Sequence, residues 1–320
     1  MATMEETVLT PKAGTGPRFD RADIGFAVAV VALVIVASIA SSSFLTERNL
    51  VNVSRQMVSN GFLSLGMLLV ILTGGIDLSV GSVVAFAGLL AIGLQEYVPI
   101  PVAILVALLM GLAVGWFNGF FIARFKLQPF IVTLASMGAV RGLLYIYSST
   151  PQYSEDPLFR SLLGAAFIGP IPVATLLFLV SLPIVWFYLN RTTSGRAVYA
   201  IGVNAEAVRL AGINVGRHIL AAYMACGFLA ALAGVLLASR LGIAQPSVGI
   251  GYELDAIAAV VIGGGILGGG GGTVLGVFGG VVALALVDNV LNLFNVESYY
   301  QQVVKGGIIL VAVLARRKKA

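Results

Sequence analysis

Long apolar runs separated by short polar segments repeat along the whole chain. A membrane-crossing helix needs about 20 mostly apolar residues at a rise of 1.5 Å each. Runs that reach or approach this length lie at 24–43, 56–73, 79–96, 101–123, 128–147, 168–189, 218–240, 255–268, 273–294 and 301–315. The pattern predicts an all-α polytopic membrane protein with about ten transmembrane helices, eight to ten being compatible with the run lengths. Charge placement favours ten, because cytoplasmic segments carry an excess of Lys and Arg. With both termini cytoplasmic, Arg124, Lys126, the basic residues of 191–217 and the closing basic run at 316–319 fall inside. Glu47, Arg48, Glu96, Glu155, Asp156 and Glu297 then fall outside. If 255–268 only dipped in and returned, the closing basic run would end on the wrong side.

Composition supports the same class. The chain is 59% hydrophobic and 10% charged with a mean hydropathy of +1.01, whereas a soluble domain carries about 25% charged residues. Residues 1–23 are polar and mixed in charge, and the first apolar run is long enough to be retained, so no secretory signal is expected. The expected organisation is a cytoplasmic tail at 1–23, one membrane domain at 24–315 with an internal loop at 190–217, and a basic cytoplasmic tail at 316–320. Cys226 is the lone cysteine, which excludes an intrachain disulfide, and with a single histidine, His218, no metal centre is expected. The net charge of +5 follows topology and is not gathered into a basic surface for nucleic acid.

Two stretches interrupt the helical pattern. In Ile71-Leu-Thr-Gly-Gly-Ile-Asp-Leu-Ser-Val-Gly-Ser82, a carboxylate and several glycines stand between apolar runs. A carboxylate at membrane depth costs roughly 2.5–3.5 kcal/mol on insertion scales, so it faces a partner or a wet cavity. Irregular backbone is tolerated there only where protein or water satisfies it. Two readings are open: a broken helix beside something polar, or a short loop in which Asp77 caps the next helix. The second stretch, Gly263-Gly-Gly-Ile-Leu-Gly-Gly-Gly-Gly-Gly272, is too glycine-rich for a regular helix, at about 1 kcal/mol per glycine relative to alanine. It lacks the Lys-Ser/Thr of a phosphate loop, which argues against nucleotide binding. Paired glycine-interrupted segments point to a transport path, and Gly74, Gly75, Asp77, Ser79, Gly264 and Gly265 are the candidate path residues.

Elsewhere, Gly111, Gly115 and Gly119 repeat at four-residue spacing, as do Gly272, Gly276 and Gly280, flattening one helix face for close packing. Asp288 and Lys305 lie in consecutive spans and are expected to neutralise each other. Arg141 lies deep in the fifth run, with snorkelling or pairing open to it and Asp77 as one partner. Tyr145, Tyr147, Tyr153, Trp116 and Trp186 are taken as interfacial anchors. No paired-carboxylate, Ser-His-acid or metalloprotease spacing is visible, so the chain is not expected to be an enzyme. In the internal loop, Asn204 is placed to cap a helix, Glu206 suits its first turn, 205–210 make about two turns and Gly212 ends them. Such a rigid knob suits a docking partner; a solvated connector is the other reading.

The Thr73-Gly-Gly-Ile-Asp-Leu-Ser-Val-Gly81 motif, the loop carrying Gly195, Arg196, Gly202, Asn204, Ala211, Gly212 and Ile213, and the ending Tyr299-Tyr-Gln-Gln-Val-Val-Lys-Gly306 resemble the permease subunits of bacterial monosaccharide ABC importers, the ribose-type permease family. The resemblance runs from about residue 25 to 315. It implies two permease copies or paralogues lining a central path in the inner membrane. It further implies a cytoplasmic ATPase, carrying ATP and Mg, that grips the loop helix at Gly195, Arg196, Asn204, Glu206, Arg209, Gly212 and Ile213, and a periplasmic binding protein that delivers the sugar. Other solutes of such permeases, a branched-chain amino acid or a sugar-like signal molecule, remain compatible. So does an ion-coupled carrier using Asp77 or Asp288.

Overall fold

The computed structural model describes residues 21–161 and 166–317. Its helices are α1 (Arg21–Ala40), α2 (Glu47–Leu72), α3 (Val80–Gly93), α4 (Ile100–Phe125), α5 (Pro129–Tyr147), the short α6 (Pro157–Phe159), α7 (Val173–Arg191), α8 (Thr193–Leu210), α9 (Val215–Leu241), α10 (Tyr252–Ile262), α11 (Val274–Leu293) and α12 (Ser298–Arg317). Each of the ten expected runs contains a helix. Among the described residues, α2, α4, α5, α7, α9 and α11 are long and apolar enough to cross a membrane alone. The expected tails fall largely outside the described residues.

Helix α2 forms the centre. Every residue from 61 to 72 is buried, as expected of a helix that is apolar all round. Helix α9 packs against α2, α3 and α4, while α10 and α11 pack against each other and against α2. Small residues set these distances. Along α4 the buried face reads Ala103, Ala107, Gly111, Gly115 and Gly119, so the small-residue ladder is longer than its glycines. A side chain on Gly111 would strike the Gly227 carbonyl, and one on Gly115 the Tyr223 carbonyl. Gly276 and Gly280 likewise pack on the backbone of Gly263 and Ala259, whereas Gly272 belongs to the preceding loop. Asn49 and Asn289 exchange two amide hydrogen bonds, at 2.9 and 2.7 Å, and join the first turn of α2 to α11.

The bundle has two chemically distinct ends. At one, Ala123 of α4 meets Gly216 of α9, and Lys126 lies close enough to Glu206 of α8 to act on its carboxyl. This is the basic end. At the other, β1 (Gln152–Tyr153) pairs antiparallel with β4 (Ile243–Ala244), and β2 (Phe167–Ile168) with β3 (Ile171–Pro172). The sixth apolar run therefore begins as this second ribbon, and its helix starts only at Val173.

The eighth run also departs from the expected 255–268. Helix α10 has 11 residues, about 16 Å at 1.5 Å each, half of a bilayer core. The rest of the crossing is non-helical. Gly75 packs on Tyr223 and Val84 lies against Gly234, so Gly81 stands level with the middle of α9. Gly249 lies against Gly81. The segment 242–251 therefore descends to mid-depth, and α10 completes the passage from there.

The packing makes a direct prediction. Gly111→Leu and Gly276→Leu each drive a side chain into a facing carbonyl. Overpacking of this kind costs about 1–3 kcal/mol or more. Both should lose the monodisperse, detergent-stable protein seen by size-exclusion chromatography. Gly138→Leu, at a position where an added Cβ meets nothing within 4 Å, should keep it.

Candidate translocation and coupling elements

Asp77 sits in the break between α2 and α3 with 1% of its surface exposed. Gly74 adopts a left-handed φ of 85° as α2 ends, letting the chain turn back under the helix. Asp77 Oδ1 accepts from the Ser79 backbone N–H at 2.9 Å and from the Ser79 hydroxyl at 2.6 Å. The Asn118 amide on α4 donates to Ser79 Oγ at 3.0 Å and to Asp77 at 3.4 Å. The Ile76 carbonyl accepts from Tyr223 on α9 and Thr133 on α5, both at 3.3 Å. The break is thus a knot to which α4, α5 and α9 contribute, and its carboxylate meets hydroxyl, amide and backbone partners. Gly75 is buried beside Tyr223, while Gly74 is exposed. Asn118, Thr133 and Tyr223 escaped the sequence reading, since nothing local in their runs marks them as partners of a break some 40 to 150 residues away.

The second break folds against the first. The Gly270 backbone N–H donates to the Leu72 carbonyl, left open at the end of α2, at 3.0 Å. Gly264, Gly269, Gly270 and Gly272 all take positive φ, which a side chain would penalise. Gly265 is buried against Val260 and Gly264 is partly exposed.

Helix α8 docks on both breaks. Tyr199 donates its hydroxyl to the Gly272 carbonyl at 2.9 Å, and Gly202 lies against the Leu72 carbonyl and the 269–270 backbone, where no side chain would fit. Gly195 is buried against Tyr188 and Leu189 of α7, while Arg196 is exposed. The helical part of this loop is longer than 205–210: it begins at Thr193, capped by the Thr192 hydroxyl. Asn204 (φ −158°, ψ 94°) kinks it and caps the second half through Ala207 N–H at 3.0 Å. Gly212, at φ 80°, ends that half. The second half projects outward. Arg209 Nε donates to Glu206 at 2.9 Å, and this bond holds the exposed Glu206 carboxyl below its usual range, ionised throughout neutral pH. Val203 (77% exposed), Leu210 (75%) and Ile213 (38%) give the knob an uncovered apolar rim.

Arg141 does not meet Asp77. Its guanidinium donates to the carbonyls of Pro246 and Val248, at 2.7 and 3.0 Å. Those carbonyls belong to the non-helical half of the eighth crossing. Left bare, two such acceptors would cost roughly 2–6 kcal/mol together. Lys305 pairs with Asp288 at 3.1 Å, as expected, and also with Asp255 of α10 at 3.0 Å. Asp255 was not anticipated because its partner lies 50 residues away.

The chain matches the family described as "Branched-chain amino acid transport system / permease component" over residues 49–313. It is similar to the ribose import permease protein RbsC of Bacillus subtilis, with 43% identity over 90% of each chain. The protein of that name in Haemophilus influenzae is 40% identical over 90% of this chain and 91% of its own. The L-arabinose ABC transporter permease protein AraH of Azospirillum brasilense is 36% identical over 91% and 86%. No solved structure matches. By this match over most of its length, and by its apolar helices, the chain belongs to that permease family and is a multi-pass transport subunit of an ABC system in the inner membrane.

Proposed function

We propose that this chain is the membrane permease of an ATP-driven importer for a monosaccharide, with D-ribose the first choice. The observation that carries the reading is the docking of α8 onto both glycine breaks while its second half projects free at the basic end. This geometry suits a subunit moved by another chain. ATP and Mg belong, in this reading, to a separate ATPase that grips the knob around Glu206, Arg209 and Ile213. A periplasmic binding protein presents the sugar at the opposite end, and a second permease copy or paralogue completes the path. Movement of the knob passes through Tyr199 and Gly202 into the breaks at 73–79 and 263–272. A partner shifts such an equilibrium only through contacts that differ between its two states, and these contacts lie between the knob and the membrane. The identity to ribose permeases supports the sugar. The carrier alternative has less support, because Asp77 is buried in a hydrogen-bonded turn and Asp288 is paired with Lys305.

Three measurements test this reading. The complex with ATPase and binding protein, reconstituted in proteoliposomes, should import labelled D-ribose in a vanadate-sensitive way. Uptake that follows a proton gradient without ATPase would replace the ABC reading with a carrier. In a Cys226→Ala background, Ala200→Cys should react with an impermeant maleimide only after permeabilisation, and Tyr153→Cys without it; the reverse pattern would invert the topology. Finally, Val203→Asp with Leu210→Asp should cut ATPase co-purification and sugar-stimulated ATP hydrolysis by about 30-fold, the size of one interface hot spot of about 2 kcal/mol. Membrane insertion should be unchanged. Retention of both activities would reduce the knob to a connector.

A further inference from the structure

A polar cavity of about 310 Å³ lies beside the start of α10, apart from both glycine breaks. Its wall carries Gln56, Asn60, Arg240, Asp255, Asp288 and Lys305, drawn from α2, α9, α10, α11 and α12. Ser59 and Asn60 sit halfway along α2, and Arg240 is one residue from the end of α9. The cavity therefore runs from mid-depth toward the end opposite the knob. It adjoins the point where the eighth crossing changes from extended chain to helix, and discontinuous helices of transporters hold their substrates at such depths.

The wall is only partly committed to the protein itself. Lys305 is bound by Asp255 and Asp288. Asp288 Oδ1 is buried with no partner. Among the described residues, the side chains of Gln56, Asn60 and Arg240 make no hydrogen bond or ion pair. Unused donors and acceptors at membrane depth are costly unless water or a ligand takes them up. Two carboxylates face one ammonium and one guanidinium, so the wall is formally neutral and suits an uncharged passenger. Carboxylate, amide and guanidinium groups in one wall match a molecule that offers many hydroxyls, each both donor and acceptor. The volume is at the lower end of small-molecule sites, in keeping with a five- or six-carbon polyol.

We infer that this cavity is the site where a neutral monosaccharide rests within the permease, with Gln56 and Asn60 as its specificity-determining residues. The inference rests on the sugar-importer reading and adds the place of contact. The plainer role, a polar staple holding α12 to α10 and α11, predicts something different for the two amides. Because they hydrogen-bond nothing within the protein, replacing them with leucine removes no internal hydrogen bond and leaves stability unchanged or raises it. A sugar site would lose its hydrogen bonds and part of its volume.

The test uses the full complex with ATPase and binding protein in proteoliposomes. Gln56→Leu with Asn60→Leu should lower labelled D-ribose uptake at least tenfold, about the worth of the hydrogen bonds two amides supply. Its melting temperature in detergent should match or exceed that of the unmodified protein. Uptake within twofold of the unmodified complex overturns the site while the importer reading stands. Should the double variant fail to assemble, Asn60→Ala serves instead. By enlarging the cavity it should raise the ratio of D-allose to D-ribose uptake at least fivefold, a ratio independent of protein yield, and an unchanged ratio overturns the proposal. If the unmodified complex imports neither ribose, allose nor L-arabinose, the importer reading and the site fall together, and that outcome is read without any variant.

Discussion

A bilayer offers no water to bare backbone groups, and this chain interrupts its helices at membrane depth. The rest of the architecture answers that constraint. Each interruption is closed by a different device. At 73–79 a buried carboxylate, a serine and an asparagine form a knot around the turn, while Tyr223 and Thr133 serve the Ile76 carbonyl. At 242–251 the guanidinium of Arg141 takes two carbonyls. At 263–272 the loop borrows the open end of α2 and the hydroxyl of Tyr199. Charged side chains in an apolar bundle are expensive in isolation. Arg141 here bonds backbone carbonyls, and Asp77 bonds the Ser79 backbone N–H together with the Ser79 hydroxyl and the Asn118 amide, and that offsets their cost.

Close packing follows from the same need. Breaks can be satisfied by neighbouring helices only if the helices approach to backbone distance, and the small-residue face of α4 against α9 allows it. Gly202 extends the principle to the basic end, where its backbone lies directly against two breaks and the Tyr199 hydroxyl adds a bond to the second. A side chain there would act as a spacer and part α8 from both breaks. The kink at Asn204 divides labour within one helix: the first half is anchored and leaves only Val203 exposed beside the kink, and the second half presents Leu210 outward, with Ile213 just beyond its end.

Much of this was legible in the sequence, and the gaps have physical reasons. Apolar run length located ten of the eleven helices of ten residues or more among the described residues, because burial in lipid demands continuous apolar surface; the eleventh, α8, is not an apolar run. It overshot at 255–268, where glycine, isoleucine and leucine keep the hydropathy high while the helix stops at Ile262 and Gly264 takes a positive φ. Hydropathy does not register the sign of φ. The cap at Asn204 and the stop at Gly212 were readable from local chemistry. The helical stretch 193–203 was not, since Thr193, Ser194, Gly195 and Gly202 are poor helix formers and hold the conformation by docking on α7 and the breaks. Pairing logic looks for opposite charges, so it found Asp288 for Lys305 but offered Asp77 to Arg141, whose true acceptors are carbonyls.

The two acidic sites show how environment separates chemically similar groups. Asp77 is buried and enclosed by hydroxyl, amide and backbone donors, so its carboxylate serves the turn that carries it. Asp255 and Asp288 share one lysine at a cavity wall, and that lysine leaves one Asp288 oxygen unpartnered. A satisfied, buried carboxylate fixes structure, whereas an unsatisfied one at a cavity has capacity left for a ligand. The buried knot lies toward the knob and the cavity toward the other end, with α10 and the glycine loop between them. In the mechanism proposed above, a push on α8 would reach the glycine loop first, then α10, and through Asp255 the wall of the cavity. The covalent order of the chain from Gly272 back to Tyr252 supplies that connection without any further contact.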